Sequence, residues 1–557
     1  MKKDARTHDD LAPFRRPPEV VMRLARMGSA HPTRLSFLRV LLRRMRDERW
    51  RFDRPLWEID AKGVGRAVYR ATGPERTYSL VAFAHDLPDH MRSDRVIATA
   101  WDATFTLFDG MPTVVDLDRL QANVPLQEAG RISGSELSLS RANRSVRLFE
   151  HVVASLAEGR QPDAEEIDRV GYLMRTTAVY GSGKFGAADR SVLTGRPEMK
   201  GPFQAEMLSV WLTRAFTVDL AEHLARMRGG DRAVAMAPDL RRRLGVGNST
   251  GLGMAPFLIR HPALLNNWML AREEALARVR AQVGAMPDAV AALGEALRAA
   301  EANHKHWRSE HPIQIAKLAD LGRDLERIGA YLENWPGGEE RPWDALWRWG
   351  EEVLSLEGQE ALLAMMLEPH GALVDDLAAT MDADEGSEFR IDGTVPVAAI
   401  RDALARHYGW ALDVNYGDRE AVARFWYVSE EKLEPRLGER FSELGAAREL
   451  PLGTGRMAAE MDRALAVWEG EGPLAAFLLA HPEHRFMARR LQIARGHPYA
   501  EIRDNLLAAD MLPIDLLRCK LAFFGATHFD PRSDRWVRIS LFQNAPYPYE
   551  MAEGSVA

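Results

Sequence analysis

Cysteine is nearly absent: Cys519 is the single one in 557 residues. One thiol closes no intramolecular disulfide, and there is no second cysteine to share a zinc ion. The expected setting is therefore a reducing cytoplasm. The flanking residues Leu516-Leu-Arg-Cys-Lys-Leu521 read as a buried strand with an inert thiol. Long apolar runs are missing too. No stretch approaches the ~18 apolar residues of a membrane span. The opening MKKDARTHDDLAPFRRPPEV has acids and prolines where a secretory signal needs an apolar segment, so a soluble chain without a membrane span is expected. Nor is there a strong charge of one sign: the formal net charge of −7 marks neither a nucleic-acid partner nor an acidic tail. Lysine is scarce. Of the 73 basic residues only nine are lysine, at positions 2, 3, 62, 184, 200, 305, 317, 432 and 520.

What is present is ordinary for a globular protein. Hydrophobic residues make up 46% and charged residues 27%, which excludes a disordered chain, a collagen-like fibre and a coiled-coil rod. The length predicts about three or four folding units at roughly 150 residues each.

Residues 1–50 carry a local excess of basic residues. Leu35, Leu38, Val40, Leu41 and Met45 fall near helical spacing, with Arg34, Arg39, Arg43, Arg44 and Arg46 between them. This is the pattern of an amphipathic helix that docks on the body of the protein; a polyanion-binding face is the alternative. Segments 54–71, 77–86 and 95–108 are rich in Val, Tyr, Phe, Trp and Thr between turn residues, and read as antiparallel strands. From about Val115 the period becomes helical. Ser133-Gly-Ser-Glu136 has the form of a capping box opening a helix to about Glu158, and helices are expected over 163–175, 204–228, 262–283, 288–307 and 312–335. Strands return at 514–524 and 535–543. The expected fold class is α+β, predominantly α-helical, with antiparallel β hairpins near both termini flanking a large helical body. The expected divisions are 1–52, 53–112, 113–336, 337–393, 394–512 and 513–557. Arg92-Ser-Asp-Arg95 recurs as Arg532-Ser-Asp-Arg535, each following an apolar segment (80–83 and 521–524). That repeat raises the possibility of a duplicated hairpin, with both copies in one sheet.

Three motifs could carry chemistry. In Arg175-Thr-Thr-Ala-Val-Tyr-Gly-Ser-Gly-Lys-Phe-Gly186 a helix is expected to end near Arg175 and run into three glycines. A phosphate-binding loop is excluded, because Ala178 stands where the first glycine belongs and Phe185 replaces the Ser or Thr after lysine. Tyr180 and Lys184 have the spacing of a tyrosine–lysine proton-transfer pair, with Ser182 and Arg190 close by to hold an anion. Arginine stays protonated, whereas lysine can shift its pKa and move a proton. In an arginine-dominated chain this ranks Lys184 first and Lys432 second. The second motif, Gly245-Val-Gly-Asn-Ser-Thr-Gly-Leu-Gly253, reads as a helix N-terminus whose amides, with Asn248, Ser249 and Thr250, hold an anion. Its glycine spacing also admits NAD(P) or flavin, but the preceding Asp239-Leu-Arg-Arg-Arg-Leu244 is too charged for the strand that site requires. The third, Phe425–Arg440, reads as a helix capped by Ser429 with Lys432 and Arg436 on one face; Tyr408, Trp410 and Tyr416 lie upstream as candidate pocket walls. Glu301-Ala-Asn-His304 lacks the second such pair that a di-iron bundle needs. His481-Pro-Glu-His484 has no evident companions, so it reads as surface histidines. There is no Gly-x-Ser-x-Gly elbow, kinase signature or His-Glu-x-x-His.

The favoured expectation is an enzyme of lyase or isomerase type acting on a small carboxylate- or phosphate-bearing molecule. Tyr180 and Lys184 would transfer protons without a metal, and Arg175, Ser182, Arg190, Asn248, Ser249, Thr250, Lys432 and Arg436 would bind the substrate. No cofactor is expected on this reading, and association into a homo-oligomer is left open. An NAD(P)- or flavin-dependent oxidoreductase and a non-catalytic helical scaffold are the alternatives.

Overall fold

The computed structural model describes residues 10–88, 100–126, 133–180, 193, 195–199, 201–248, 262–307, 312–335, 339–381, 390–416, 426–428, 433–435, 447–449, 452–502, 513–531 and 537–552. The fold is a mixture of helices and mainly antiparallel strands. Seven strands come from the first half of the chain: β1 (Arg51–Ile59), β2 (Gly65–Thr72), β3 (Thr77–Ala84), β4 (Ala103–Asp109), β5 (Glu136–Arg144), β6 (Tyr172–Tyr180) and β7 (Gly245–Asn248). Three short ones, β8 (Trp426–Val428), β9 (Leu433–Pro435) and β10 (Ala447–Glu449), form a separate small sheet. β11 (His528–Pro531) and β12 (Val537–Leu541) complete a nine-stranded sheet in the order β1-β2-β3-β4-β5-β6-β7-β12-β11. The C-terminal strands thus join the same sheet as the N-terminal ones, at its opposite edge, through β12 antiparallel to β7.

Strand side chains alternate between faces, so each strand feeds two layers. Ala67, Tyr69 and Ala71 of β2, Leu80 and Ala82 of β3, and Phe105 and Leu107 of β4 enter the main core. Val68, Val81, Phe83 and Phe108 face the other way, onto Leu117 and Leu120 of the helix Val114–Asn123. Thr113 caps that helix: its Oγ1 accepts from the Asp116 amide, while the Asp116 carboxylate accepts from the Thr113 amide. The main core is organised by the helix Gln204–Gly229, which lies against β3 to β7. It is buried along most of its length, and Trp211 and Phe216 are fully enclosed. Phe216 meets Phe105 edge-on at 5.4 Å, and Trp211 meets Phe52 at 4.8 Å. Burying each such ring stabilises the fold by roughly 1.5–3 kcal/mol.

The later helices Pro262–Arg280, Pro287–His306, Pro312–Glu333, Pro342–Val353 and Leu356–Met366 extend the same core. Four of the five open on proline, whose fixed φ suits a first helical position and whose missing N–H would have no partner there. A second apolar cluster is built by Val397–Leu412, Leu452–Ala466, Leu474–Ala480 and Arg485–Gly496, with Ile400, Leu404, Met461, Phe477 and Leu491 at its centre.

The basic segment 34–47 does form a helix, Phe37–Asp47, and its cations are engaged within the protein. Arg39 pairs with Glu368, the Arg34 Nε and Nη2 each lie 2.7 Å from the Asp375 carboxylate, and Arg43 is 3.3 Å from the same group. Upstream, Arg16 is buried between Glu273 (2.7 Å) and Glu360 (2.6 Å). Burial works against the Arg16 charge, but the two carboxylates hold its pKa above the usual arginine value.

Several expected elements differ. Residues 133–158 are not one helix. Ser133 and Glu136 do interact, with the Ser133 hydroxyl donating to Glu136 at 3.0 Å, but they do so in a turn leading into β5, where pairing with β4 and β6 satisfies the backbone. The helix expected over 163–175 is capped by Asp163 and runs only over Ala164–Val170, because Gly171 adopts φ +76° and ends it. β6 follows, so Arg175 lies in a strand and not at a helix end. Segment 54–71 is two strands, turned at Asp60, whose Oδ1 accepts from the amides of Lys62 and Val64. Segment 514–524, including Cys519, belongs to a helix, Pro513–Phe524, and not to a strand. Thus 80–83 is strand and 521–524 is helix, and the duplicated-hairpin comparison fails at its first half. The two Arg-Ser-Asp-Arg turns lie outside the described residues. Gly245–Asn248 is a strand and not a helix N-terminus, and Leu433–Pro435 is a strand and not the second turn of a helix, an interior position where proline would break the pattern.

Candidate functional site

Among the described residues β6 and β7 are the one parallel pair in the large sheet, and the two glycine-rich segments follow directly from them in sequence. Arg175 lies opposite Gly247, and Thr176 opposite Asn248. Opposed residues share a face of the sheet and successive residues alternate, so Thr176 and Asn248 point one way, and Arg175 and Gly247 the other. The Asn248 Nδ2 donates to the Thr176 Oγ1 at 3.4 Å, and that hydroxyl donates to the Gly247 carbonyl at 3.3 Å. From the helix Pro513–Phe524, which packs against β12, Lys520 reaches across so that its Nζ donates to the Asn248 Oδ1 at 2.9 Å. The ammonium also lies 5.9 Å from the centre of the Phe524 ring. Lys520 is buried, and burial pushes its pKa down from 10.5 to about 7. A lysine in that range is a competent acid or base at neutral pH.

Gly245 and Gly247, the described glycines of the second motif, are used by packing. A side chain on Gly247 would lie 2.6 Å from the Tyr172 ring, and one on Gly245 would lie 2.4 Å from the Leu541 carbonyl oxygen. The segment before β7 is a short helix, Pro238–Arg243. The start of β7 is held by Arg214 of the central helix, whose guanidinium donates to the carbonyls of Leu244 (2.6 Å), Ala545 (2.8 Å) and Arg242 (3.2 Å) and stacks on Tyr547 at 3.9 Å.

The expected site residues are therefore divided. Asn248 joins the Lys520 cluster. Arg175 is buried one residue before Thr176 and is directed to the opposite face of the sheet from it. Tyr180 is the last residue of β6, paired with Leu139, so it is not on a helical turn that would also carry Lys184. Ser182, Lys184, Arg190, Ser249, Thr250, Lys432 and Arg436 lie outside the described residues. Tyr408 does not wall a pocket: its hydroxyl donates to Glu501 at 2.8 Å and accepts from Arg490 at 2.6 Å in a buried ion pair. His304 is engaged with the Leu318 carbonyl through its Nε2 at 2.7 Å. Lys520 was missed because Leu516–Leu521 reads as an apolar strand around an inert cysteine; the scarcity of lysine, which ranked Lys184 first and Lys432 second, applies equally to Lys520 and was the one signal that could have found it.

Among the described residues no helix is long and apolar enough to cross a membrane. Comparison with protein-family models, with curated proteins and with solved structures finds no match.

Proposed function

We propose that this chain is an enzyme acting on a small carboxylate- or phosphate-bearing molecule at the end of β7, beside the middle of β6, with Lys520 as the group that holds and moves a proton. The 2.9 Å contact between the Lys520 Nζ and the Asn248 Oδ1 carries the reading. It sets a buried amine with a pKa of about 7 beside the strand from which the segment Ser249–Gly253 continues. Perturbed titratable groups gather at functional sites, and in sheets with parallel strands ligands collect beyond the strands' C-terminal ends. Asn248 and Thr176 orient the amine. Tyr180, Ser182, Lys184, Arg190, Ser249 and Thr250 belong to the segments that continue from the two strands and supply the remaining anion and proton contacts. A lyase or isomerase reaction beside a carboxylate fits one proton-transferring amine. A nicotinamide or flavin site draws less support, since Gly245 and Gly247 are filled by Leu541 and Tyr172. A polyanion-binding scaffold draws less as well, since Arg34, Arg39 and Arg43 are paired internally.

Sulfate, whose charge is constant across the useful pH range, tests the anion site. Isothermal titration of the full chain is expected to detect binding at pH 6 that weakens by up to about tenfold per pH unit above 7, as the amine loses its proton. Lys520→Met should bind no sulfate at either pH. Equal binding by the wild type and Lys520→Met would overturn the reading.

A further inference from the structure

Away from the large sheet, the second apolar cluster carries a group of side chains with a different chemistry. The helix Leu474–Ala480 ends at His481, a short 3-10 turn covers Pro482–His484, and the helix Arg485–Gly496 begins at once. The His481 amide donates to the Phe477 carbonyl at 2.8 Å and the His484 amide to the His481 carbonyl at 3.2 Å. This tight turn brings both imidazoles round to one carboxylate. The His481 Nδ1 is 3.4 Å from the Glu483 Oε1, the His484 Nε2 is 3.8 Å from the same oxygen, and the three potential ligand atoms lie within 4.8 Å of one another.

The two separations are those of a loose ion pair and leave room for a shared ion between the groups. Charge-assisted hydrogen bonds close to ~2.7–2.9 Å, and neither contact does so. Two donors ~2.0–2.1 Å from one tetrahedral ion stand ~3.3 Å apart; the His481 contact meets that spacing, and the other ligand atoms, within 4.8 Å, reach it by a small movement of the exposed Glu483. The rings are also held in place by packing. Phe477 lies 5.0 Å from the His481 ring and 5.7 Å from the His484 ring, the latter stacked within 13°, and Trp468 meets His481 edge-on at 6.0 Å. His484 is mostly buried while Glu483 is 61% exposed, so one side of the triad is anchored and the other is open to ions from solvent. Glu460, on the helix Leu452–Ala466, is a further carboxylate within electrostatic reach of His484.

We propose that His481, Glu483 and His484 bind a divalent first-row transition ion, in the class of zinc, cobalt or nickel. Two imidazoles and one carboxylate suit these borderline ions better than calcium or magnesium, which prefer oxygen alone. Three ligands leave further coordination positions for water or Glu460. The ion pins the junction between the helices Leu474–Ala480 and Arg485–Gly496. The site is independent of the Lys520 cluster and stands or falls separately.

Cobalt(II) is the probe. Titrating cobalt chloride into the full chain, free of any affinity tag, should give visible d–d absorption that saturates at one equivalent. His481→Ala, at a partly exposed position, should abolish that saturable band without changing the far-ultraviolet circular dichroism. Glu483→Gln should weaken cobalt binding by about tenfold or more. A wild-type chain that gives no saturable band, or a His481→Ala chain with an unchanged one, would overturn the proposal.

Discussion

Lys520 and Asn248, 272 positions apart in the chain, meet inside the protein with the ammonium donating to the side-chain amide oxygen at 2.9 Å. Burial holds the folded-state pKa at about 7 against 10.5 for an ordinary lysine. Below pH 7 both the folded and unfolded states carry the proton, and the fold bears the full cost of a buried charge. Between about 7 and 10.5 the unfolded chain keeps its proton while the folded one has released it, so this group makes stability rise with pH, by ~1.4 kcal/mol for each unit of pKa difference. Lys520→Met removes the dependence. The melting temperature of the variant minus that of the wild type should therefore be more positive at pH 6 than at pH 9.5. A difference that does not vary with pH would mean that the amine is not depressed.

Gly245 and Gly247 are small for two separate reasons, and substitutions should separate them. Gly247→Ala drives a methyl group into the Tyr172 ring, and Gly245→Ala drives one into the Leu541 carbonyl. Each should cost about 1–3 kcal/mol. Tyr172→Ala removes the obstacle to the first alone. In a double-mutant cycle read by urea unfolding, Gly247→Ala with Tyr172→Ala should destabilise less than the sum of the two single changes, and by a wider margin than Gly245→Ala with Tyr172→Ala, a pair that lies opposite across β6 and β7 but in which the Leu541 carbonyl and not the ring is the obstacle. Additivity in both pairs would contradict the packing described.

The long helices were legible because proline at the first position and sustained helical spacing are local signals: 204–228, 262–283, 288–307 and 312–335 each correspond closely to an observed helix. The N-terminal strands were legible for the same kind of reason, in β-branched and aromatic residues set off by turns. β5 and β6 were not. β5 reads Glu-Leu-Ser-Leu-Ser-Arg-Ala-Asn-Arg, and its buried Ser138 hydroxyl meets that of Ser209 on the central helix, a partner 71 residues away. At 163–175 the helical pattern overran Gly171. The Lys520–Asn248 cluster was half legible. Asn248 stood in a motif, but its partner comes from the far end of the chain, and proximity of that kind is set by strand order, which local pattern does not encode.

Arg16 links the N-terminal segment to two later helices. Its Nε and Nη2 meet both oxygens of Glu273, and its Nη1 meets Glu360. Burial opposes ionisation of Glu273, but Arg16 and Arg272 overcome it and keep that carboxylate's pKa low. Arg16→Met would leave Glu273 to Arg272 alone and Glu360 to the longer contacts with Arg26 and Arg272, so its cost should fall toward the lower end of the range of about 3–5 kcal/mol for a fully broken buried pair. Arg16→Lys should recover little, because an ammonium cannot engage both carboxylates with a planar fork. Urea unfolding followed by tryptophan fluorescence reads both variants. A loss below about 1 kcal/mol in Arg16→Met would contradict the burial of this network.

Arg214 differs from Arg16 in that the hydrogen bonds made by its guanidinium go to carbonyl oxygens, at Leu244, Ala545 and Arg242, with Tyr547 stacked on it. Burial lowers its pKa, and it is the geometry of those carbonyls that holds it. The same guanidinium thus fixes the residue before β7, the strand that carries Asn248, and the chain just after β12, the strand paired with it. Removing it with Arg214→Met takes the side-chain donor from the Leu244 and Ala545 carbonyls, each worth roughly 1–3 kcal/mol, whereas the Arg242 carbonyl still accepts from the Asn544 amide at 2.8 Å. Arg214→Lys can satisfy one direction at most, so it should be intermediate. The consequence should reach beyond stability. If β7 loses its anchor, the Asn248 Oδ1 no longer meets the Lys520 Nζ reliably, and sulfate binding at pH 6 should weaken in both variants in the same order as their melting temperatures. Variants that lose stability yet bind sulfate as the wild type does would show that the start of β7 does not depend on this clamp.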